Sequence, residues 1–335
     1  MSLRLLITGA NGQIGWHLQR ALSPLGEVKA LTRDQLDLSD PDAVTRTVRD
    51  SHADVVVNAA AYTAVDRAEI EPELARTINA AAPARMAEEC ARSGALLIHY
   101  STDYVFDGNK SGPYVEDDAT APLNVYGQTK LEGERAIIAS GCAHIILRTT
   151  WVYDVRGKNF LRTLLRLARE REELRMVGDQ YGAPTWARTI AEGTAIIVAA
   201  SAEQFRHRGT ETGRNPQHLS TQVMPSEAEG SAARSSRFPV GIFHLTAAGQ
   251  TSWAMFAQAI LEDYEELLAW PAETGEFGGP LKARRVVGIT SEQFQTPARR
   301  PRNSVLCNAK VRAAFGITMP DWRNQLRLAL QDAIR

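Results

Sequence analysis

The side chains with the clearest chemical potential are a tyrosine and a lysine four residues apart. Tyr126 and Lys130 stand in a segment with helical character, so the two side chains share one face. A phenol, with a pKa of about 10, exchanges protons poorly at neutral pH, and a neighbouring ammonium favours the phenolate and lowers that pKa. The pair therefore predicts proton transfer to or from a substrate. The alternative is a tyrosine that simply packs on a lysine stem.

A run of polar residues supplies further candidates for the same chemistry. Residues 101–104, which read STDY, follow an apolar strand at 95–100 and so lie at the carboxyl end of that strand. In open α/β sheets this edge faces the ligand crevice. The hydroxyl of Thr102 can hydrogen-bond the same carbonyl oxygen as the tyrosine. We therefore predict that Thr102 is catalytic together with Tyr126 and Lys130.

A glycine-rich turn near the start of the chain predicts a phosphate-binding site. Residues 8–15 read TGANGQIG and connect a short apolar strand to a helix. Gly9 permits a tight turn, Gly12 lets pyrophosphate approach the backbone, and Gly15 allows close helix packing. The start of the helix adds unpaired N–H groups and a partial positive charge. This context favours a dinucleotide site over an ordinary glycine-rich loop. The predicted contacts are Gly9, Asn11, Gly12, Gln13 and Ile14.

The glycine spacing and the second strand bear on the identity of the cofactor. The spacing GxxGxxG is typical of short-chain dehydrogenases. The second strand is followed by Arg33, where an acidic residue would hold the ribose 2′-hydroxyl of NAD. Arg33 can instead meet a 2′-phosphate, which favours NADPH over NADH. The alternative is that Arg33 is a solvated loop residue. Asp37 and Leu38 are expected to flank the adenine ring.

Strands and helices alternate through the first 150 residues. Apolar strand segments at 3–8, 28–31, 54–58, 95–100 and 144–148 are separated by helical segments at 14–25, 41–50, 73–93 and 124–139. Asp40 is a plausible N-cap for the second of these helices. Such alternation implies right-handed βαβ crossovers. We predict an α/β fold in which residues 1–150 form a Rossmann-like, doubly wound parallel sheet that binds the dinucleotide.

The second half of the chain is less regular. Helices are predicted at 160–172, 189–200, 252–268 and 322–334, with a strand at 241–245. We expect residues 151–335 to form mainly a smaller substrate-binding lobe, with segments that return to the sheet. Residues 203–239 are rich in Ser, Gly, Arg and Glu and have no apolar period, which predicts a disordered, exposed insertion without a catalytic role. The alternative is a lid or a partner-binding arm.

Composition excludes several classes of function. The 335 residues carry a formal net charge of −1, which leaves no basic excess for a nucleic acid partner. Cys90, Cys142 and Cys307 lack the spacing of metal ligands and are expected to be reduced thiols, buried or half-buried, as in a cytoplasmic protein. The N-terminus does not read as a signal peptide, and no apolar run has the ~18 residues of a membrane span.

A set of longer motifs extends over nearly the whole chain outside the insertion. Besides the glycine turn they are NAAAYTAVD at 58–66, EIEPE at 69–73, STDYVFDG at 101–108, PLNVYGQTK at 122–130, RTTWVY at 148–153, GDQYGAPT at 178–185 and RRPRNSVL at 299–306. In this combination the sequence resembles the dTDP-4-dehydrorhamnose reductase family of extended short-chain dehydrogenases. The last three motifs lie outside the general dehydrogenase signature and make the resemblance specific.

The resemblance implies an activity and a role for each site residue. The activity is reduction of the C4 ketone of dTDP-4-dehydro-β-L-rhamnose by a nicotinamide cofactor, giving dTDP-L-rhamnose for surface polysaccharide. Tyr126 would be the proton donor, and Lys130 would support it and bind the nicotinamide ribose. The implied substrate contacts are Thr102, Asp103, Tyr104, Trp151, Arg300 and Asn303, and the implied lining of the cofactor cleft is Ala61, Tyr62 and Thr63. The alternatives are a turn cap for Asp103, a core aromatic for Trp151 and a solvated loop for Arg300 and Asn303.

Two other functions are compatible with this fold. A sugar epimerase or dehydratase commonly needs further acid-base residues and retains its NAD tightly. A non-catalytic regulatory subunit typically lacks the tyrosine and lysine pair. Trp151 together with the motifs at 178–185 and 299–306 argues against the first, and the intact pair Tyr126 and Lys130 argues against the second.

The resemblance also suggests a homodimer and Mg²⁺ held by acidic residues at the subunit contact. Arg188 stands where an acidic residue of the family is expected, and Asp332 is a candidate for the other acid. A guanidinium repels a cation and can pair with a carboxylate instead. We therefore expect that this chain has no working metal site at that position.

Overall fold

The structure, a computed structural model, describes residues 2–208, 238–268 and 279–334. Its strands are β1 (Leu3–Thr8), β2 (Gly26–Leu31), β3 (Val55–Asn58), β4 (Leu96–Thr102), β5 (His144–Thr149), β6 (Val152–Tyr153), β7 (Glu173–Val177), β8 (Tyr181–Gly182), β9 (Thr185–Trp186), β10 (Gly241–His244), β11 (Thr251–Ser252) and β12 (Arg285–Ile289). The α-helices in the same ranges are α1 (Gln13–Leu22), α2 (Pro41–Ser51), α3 (Val65–Ala68), α4 (Pro72–Arg76), α5 (Ala82–Ser93), α6 (Val125–Ala139), α7 (Phe160–Glu170), α8 (Ala187–Arg208), α9 (Trp253–Leu268), α10 (Ala309–Phe315) and α11 (Trp322–Ile334).

A six-stranded parallel sheet organises the first half of the molecule. Its strand order is β10-β5-β4-β3-β1-β2. Alternate residues of each strand face opposite sides. Leu6, Val56 and Leu97 pack against α2, α5 and α6, whereas Leu5 and Val57 pack with their neighbours against α1 and α8. Helices therefore cover both faces, and the predicted doubly wound α/β fold is confirmed.

Two predicted helices differ from those observed. The segment predicted as one helix at 73–93 is interrupted by a π-helical turn at Thr77–Ala81, between α4 and α5. The helix predicted at 189–200 extends as α8 to Arg208, so the first residues of the predicted insertion at 203–239 are helical. The part of that insertion from 209 to 237 lies outside the described residues. The predicted N-cap at Asp40 is confirmed, because its carboxylate accepts the N–H groups of Asp42 and Ala43.

The second half of the chain builds a separate hydrophobic core and also returns to the sheet. Helices α7, α9 and α11 enclose a cluster that includes Tyr153, Phe256 and Leu326. Short strands brace this lobe in the pairs β7 with β12, β6 with β9 and β8 with β11. Strand β10 joins the main sheet beside β5, and α8 packs on α1. Within the described ranges, none of the helices has the length and apolar character needed to span a bilayer.

Candidate active site

A cleft of about 470 Å³ lies at the carboxyl edge of the parallel strands. Every residue that the sequence predicts to contact the cofactor lines this one cleft. They are Gly9, Asn11, Gly12, Gln13, Ile14, Arg33, Asp37, Leu38, Ala61, Tyr62, Thr63, Tyr126 and Lys130. The structure thus brings together residues from β1, α1, the loops after β2 and β3, and α6, and their role as cofactor contacts stays a prediction.

The glycine turn adopts a geometry that other residues would disturb. Gly9 has φ +75°, and a β-carbon there would lie 2.8 Å from the backbone nitrogen of Ala60. A β-carbon at Gly15 would lie 2.0 Å from the carbonyl oxygen of Gly9, so Gly15 allows close packing against the turn itself. At Gly12 a β-carbon would lie 3.2 Å from the carbonyl oxygen of Gly9, a tight contact but much looser than those at Gly9 and Gly15. Among the three glycines, Gly12 therefore disturbs the protein least when a side chain is added.

The cleft fits a dinucleotide by its hydrogen-bonding capacity. Helix α1 begins after Gly12 without a side-chain cap, so its first N–H groups are available to a pyrophosphate. Three buried polar atoms of cleft residues, Oε1 of Gln13, Oγ of Ser101 and Oγ1 of Thr149, have no hydrogen-bond partner among the described residues. Buried polar atoms are normally satisfied, so these atoms are suited to a bound ligand.

Arg33 and Asp37 lie together in the lining of the cleft. The guanidinium of Arg33 is exposed and stands 3.7 Å from the carboxylate of Asp37. A backbone hydrogen bond from Ser39 is the main cause that holds the pKa of Asp37 below its usual range, and Arg33 adds to it. Arg33 is consequently accessible for a 2′-phosphate, which would have to compete with a weak surface ion pair.

Tyr126 lies in the first turn of α6 and packs edge-on against Tyr104, with ring centroids 5.5 Å apart. Burial raises the pKa of the Tyr126 phenol to about 12, and hydrogen bonding with Thr102 opposes that rise. The prediction that Lys130 lowers this pKa is wrong for the described structure, because burial dominates and Nζ of Lys130 bonds the carbonyl oxygen of Tyr100 and Nε2 of His99 instead. A raised pKa suits a proton donor, which must keep its proton until a strong base forms beside it.

Lys130 is fully buried beneath the cleft and enters a polar chain. Its Nζ atom is 2.6 Å from the carbonyl oxygen of Tyr100 and 3.0 Å from Nε2 of His99. The other ring nitrogen of His99 is 3.0 Å from the amide nitrogen of Asn58. Burial lowers the pKa of Lys130 to about 8, and the charge of Glu134 opposes this. Sequence reasoning missed His99 and Asn58, since a polar residue near the end of a strand gives no sign of its partner.

The STDY segment forms a capped turn beside the tyrosines. Thr102 accepts the N–H of Tyr104 and donates to Oδ1 of Asp103, so the threonine is the cap of the 3-10 turn Asp103–Val105. Burial raises the pKa of Asp103 to about 6, and hydrogen bonding with Ser304 and Thr150 opposes the rise. Its second oxygen, Oδ2, has no hydrogen-bond partner among the described residues. This oxygen is available to a substrate hydroxyl.

A π-helical turn positions one wall of the cleft. Asn79, within the turn, accepts the N–H of Tyr62 at 2.9 Å and donates to the carbonyl oxygen of Tyr62 and to Thr129 of α6. The phenol of Tyr62 donates to Glu71 at 2.5 Å. The wall from Ala61 to Thr63 is thereby tied to α6, the helix that carries Tyr126 and Lys130. Such turns often mark functional sites, but one extra residue in a helical pattern leaves no clear sequence signal.

Trp151 adopts an unusual backbone conformation. Its φ is +47°, a left-handed value that costs a bulky residue about 1–3 kcal/mol. The indole stacks on Trp253 with ring centroids 3.6 Å apart, and a β-carbon at Gly182 would lie only 2.5 Å from it. Trp151 is therefore a half-buried aromatic side chain held against Trp253, and its predicted substrate contact stays a prediction.

A second cavity, of about 580 Å³, is lined by three arginines of the RRPRNSVL motif: Arg299, Arg300 and Arg302. Arg300 makes two hydrogen bonds to the carboxylate of Asp66, at 3.1 and 2.8 Å. Burial opposes the raised pKa of Arg300, and hydrogen bonding with the phenol of Tyr104 contributes to it alongside Asp66. Asn303 is placed differently from the arginines. Its amide donates to the carbonyl oxygens of Lys110 and Gly112, so it braces this loop. Its predicted substrate contact stays a prediction.

Comparison with known proteins decides the family. The sequence model of the RmlD substrate binding domain family matches residues 3–221 and 216–334. A dTDP-4-dehydrorhamnose reductase of Burkholderia thailandensis is 46% identical over 332 residues, which cover 99% of each chain. One of Escherichia coli K12 is 40% identical, with 98% of each chain covered. This chain belongs to the dTDP-4-dehydrorhamnose reductase family. It is an NAD(P)H-dependent oxidoreductase, as the sequence predicts.

Solved structures agree with this membership. A dTDP-4-dehydrorhamnose reductase from Clostridium acetobutylicum has a TM-score of 0.78 and 31% identity, with 98% of both chains covered. One from Bacillus anthracis, in complex with NADP, has a TM-score of 0.77 and 29% identity and covers 99% of this chain and 100% of its own. A UDP-glucose 4-epimerase from Thermus thermophilus, 18% identical with a TM-score of 0.69, shares the fold.

Arg188, the departure from the expected family pattern, pairs with carboxylates in this reductase. Its guanidinium is 2.8 Å from Asp332 and 2.8 Å from Glu192. The pairing of Arg188 with a carboxylate is thus confirmed, and Asp332 is engaged in it.

The three cysteines are free thiols, two of them buried and Cys307 half-buried, as expected.

Several cleft residues of this reductase were not predicted from the sequence. Leu36, Ala59, Ala60, Ile78, Tyr100, Ser101, Thr149, Val152, Gly157 and Lys158 also line the cofactor cleft. Lys158 adds a further cation to the cleft lining, besides Arg33 and Lys130. It lies on a loop that Asp154 anchors to α1 through His17, at 3.1 Å. This contact joins residues 137 positions apart, so no local pattern could have indicated it.

Proposed function

We propose that the chain reduces the C4 ketone of dTDP-4-dehydro-β-L-rhamnose, giving dTDP-L-rhamnose for surface polysaccharide, with NADPH or NADH as cofactor. The observation that carries the proposal is the single cleft that contains both the glycine turn and the pair Tyr126 and Lys130. Contacts from Tyr126 through Tyr104 to Arg300 connect this cleft with the arginine-lined cavity. A dinucleotide in the cleft and an anionic nucleotide sugar at the arginine-lined cavity would therefore lie next to each other.

The glycine turn and the uncapped start of α1 would hold the pyrophosphate of the cofactor. Arg33 and Lys158 would bind further negative charge, such as the 2′-phosphate of NADPH. Lys130 would bind the nicotinamide ribose from below. When bound, the nicotinamide supplies the hydride to the sugar C4. Tyr126 would give its proton to the oxygen that becomes negative there, and Thr102, at the same carbonyl, would hold that oxygen in line.

The substrate would use the residues on the other side of Tyr126. Arginines suit the diphosphate, because a guanidinium offers two parallel N–H donors to phosphate oxygens. Among the three that line the cavity, Arg300 is fixed in direction by Asp66. Oδ2 of Asp103 would accept a sugar hydroxyl, and the indole of Trp151 would cover a sugar face.

The assignment of regions follows the same logic. We propose that residues 1–150 bind the dinucleotide and that residues 151–335 mainly bind the substrate, although β10 and α8 belong to the layers of the sheet. A homodimer stays a prediction. With Arg188 paired to Asp332, we propose that this position does not hold Mg²⁺.

Replacing the proton donor tests the proposal. Tyr126→Phe should lower kcat with dTDP-4-dehydrorhamnose roughly 10²–10⁴-fold, because it removes general-acid catalysis, while the Kd for NADPH changes little. The control is Tyr153→Phe, since the buried Tyr153 hydroxyl has no hydrogen-bond partner among the described residues. Turnover is followed by the absorbance of the reduced cofactor. Near-normal turnover of Tyr126→Phe would remove Tyr126 from the mechanism, and no turnover by the wild type would remove the substrate assignment.

A further inference from the structure

Three polar residues occupy paired positions on adjacent strands. Thr8 of β1 lies beside Asn58 of β3, which lies beside His99 of β4. Two residues earlier in each strand, the same face presents Leu6, Val56 and Leu97 to α5 and α6. Thr8, Asn58 and His99 thus form a polar row under α6, where the preceding layer of the same face is apolar. All three residues are nearly inaccessible to solvent.

The hydrogen bonds of Asn58 determine which tautomer His99 adopts. The backbone N–H of Ala60 donates to Oδ1 of Asn58 at 3.2 Å, and the hydroxyl of Thr8 lies 2.7 Å from the same oxygen. The amide nitrogen of Asn58 therefore faces Nδ1 of His99, at 3.0 Å. An amide nitrogen only donates, so Nδ1 is the acceptor. A neutral His99 then carries its hydrogen on Nε2.

That hydrogen is directed at Lys130. Nε2 lies 3.0 Å from Nζ, which also donates to the carbonyl oxygen of Tyr100. An ammonium has three donors and no acceptor, so it cannot receive the Nε2 hydrogen, whereas a neutral amine can. The ammonium form requires His99 to move its hydrogen to Nδ1 and to lose its bond with Asn58.

We propose that His99, held in its Nε2–H tautomer by Asn58, is a positioning residue that disfavours the ammonium form of Lys130 and so sets the alkaline limit of turnover. The inference rests on the proposed function insofar as turnover needs the ammonium beside Tyr126. Burial lowers the pKa of Lys130 to about 8 and that of His99 far below its usual value, which agrees with the direction of this effect.

The other charged and titratable groups near the lysine do not produce the same limit. Glu134, one turn further along α6, favours the ammonium and is itself paired with Arg148 of β5. Tyr126, one turn earlier, has a pKa raised to about 12 and so keeps its proton through the same range. As the pH rises, Lys130 loses its proton first.

Two variants test the role of the tautomer in kinetics. In Asn58→Asp the carboxylate can accept from Ala60, Thr8 and Nδ1–H of His99, which frees Nε2 to accept from the ammonium. In His99→Gln a carbonyl oxygen replaces Nε2 without added charge. Both should move the alkaline midpoint of kcat/KM upward, for Asn58→Asp by about one pH unit or more. The control is His144→Asn, because His144 is a buried strand histidine whose ring bonds the carbonyl oxygen of Cys142.

A spectroscopic measurement keeps the test independent of activity. In ¹⁵N-histidine-labelled full-length protein, the His99 signals are assigned by their loss in His99→Gln. Above the alkaline midpoint, where Lys130 is a neutral amine, the wild type should carry its hydrogen on Nε2, whereas Asn58→Asp should carry it on Nδ1 at the same pH. A wild-type Nδ1–H tautomer above the alkaline midpoint, or alkaline midpoints that stay unchanged or fall in both variants, would overturn the inference. An inactive wild type with the expected tautomers would instead count against the proposed function alone.

Discussion

Breaking the buried ion pair behind the catalytic helix should cost several kcal/mol. Arg148 of the RTTWVY motif donates to Glu134 of α6 through two hydrogen bonds, at 2.9 and 2.7 Å, and both side chains are at most 2% exposed. In Glu134→Gln the Arg148 charge would remain buried without its counter-ion. The free energy of unfolding should fall by about 3–5 kcal/mol, the usual cost of leaving one buried charge unpaired.

The same physics predicts that replacing both partners is less damaging than replacing one. Glu134→Leu with Arg148→Met removes both charges and keeps apolar volume, so the double variant should recover most of the loss. The control is Glu88→Gln, which breaks the exposed pair of Glu88 and Arg85 on α5 at 3.0 Å and should cost less than about 1 kcal/mol.

Urea unfolding followed by circular dichroism would measure all of these variants against the wild type. The reasoning fails if Glu134→Gln costs no more than Glu88→Gln, since the buried pair would then behave as a surface pair. It also fails if the double variant is no more stable than Glu134→Gln, because the loss would then come from packing and not from an unpaired charge.

Three further predictions concern the ligands and pH. Gly12→Val should abolish NADPH binding in calorimetry with an unchanged melting temperature, whereas Gly15→Val, whose β-carbon meets the Gly9 carbonyl at 2.0 Å, should lower the melting temperature as well. Arg33→Ala should raise the Kd for NADPH and leave that for NADH nearly unchanged; equal effects would place Arg33 away from the 2′-phosphate. Asp103, whose pKa is raised to about 6, destabilises the fold once it ionises, so Asp103→Asn should add about 2–3 kcal/mol at pH 7.5, nothing below pH 4, and reduce turnover.

The fold of the first half was predictable because its signals are local and repeated. Continuously apolar strands such as Val55–Asn58 indicate a sheet covered on both faces, and the alternation with helices fixes a parallel order. The π-helical turn Thr77–Ala81 was not predictable in this way. Its hydrogen bonds span one residue more than those of an α-helix, and the apolar residues on either side still fit a helical period.

The cofactor cleft was predictable where short segments carry the contacts, and it was not where distant segments meet. The glycine turn and the pair Tyr126 and Lys130 each lie within one short stretch of sequence, so the spacing of their residues can be seen directly. Lys158 reaches the cleft only because its loop is anchored to α1, and the two-residue strands β6, β8, β9 and β11 are too short to leave a period. The left-handed backbone of Trp151 likewise follows from tertiary contacts with Trp253 and Gly182.

The motifs that identify the family act to a large extent by holding α6. Glu69 of EIEPE accepts the N–H of Val125, the first residue of α6, at 2.9 Å, and Asn124 caps the same end through the N–H of Gly127. Asn124 also donates to the carbonyl oxygen of Arg299 in the arginine motif. The start of the catalytic helix is thus tied to two distant motifs.

The Arg148–Glu134 ion pair fixes the middle of that helix from the opposite side. Gly133 lets the π-helical turn approach closely, because a β-carbon at Gly133 would lie 2.2 Å from the carbonyl oxygen of Asn79. Tyr126 and Lys130 lie between these anchors. A proton donor must be held within hydrogen-bond reach of the reacting oxygen, so small shifts of α6 would be costly for the reaction. On the proposed mechanism, a motif residue such as Arg148, which contacts only protein, serves the reaction by holding α6 in place.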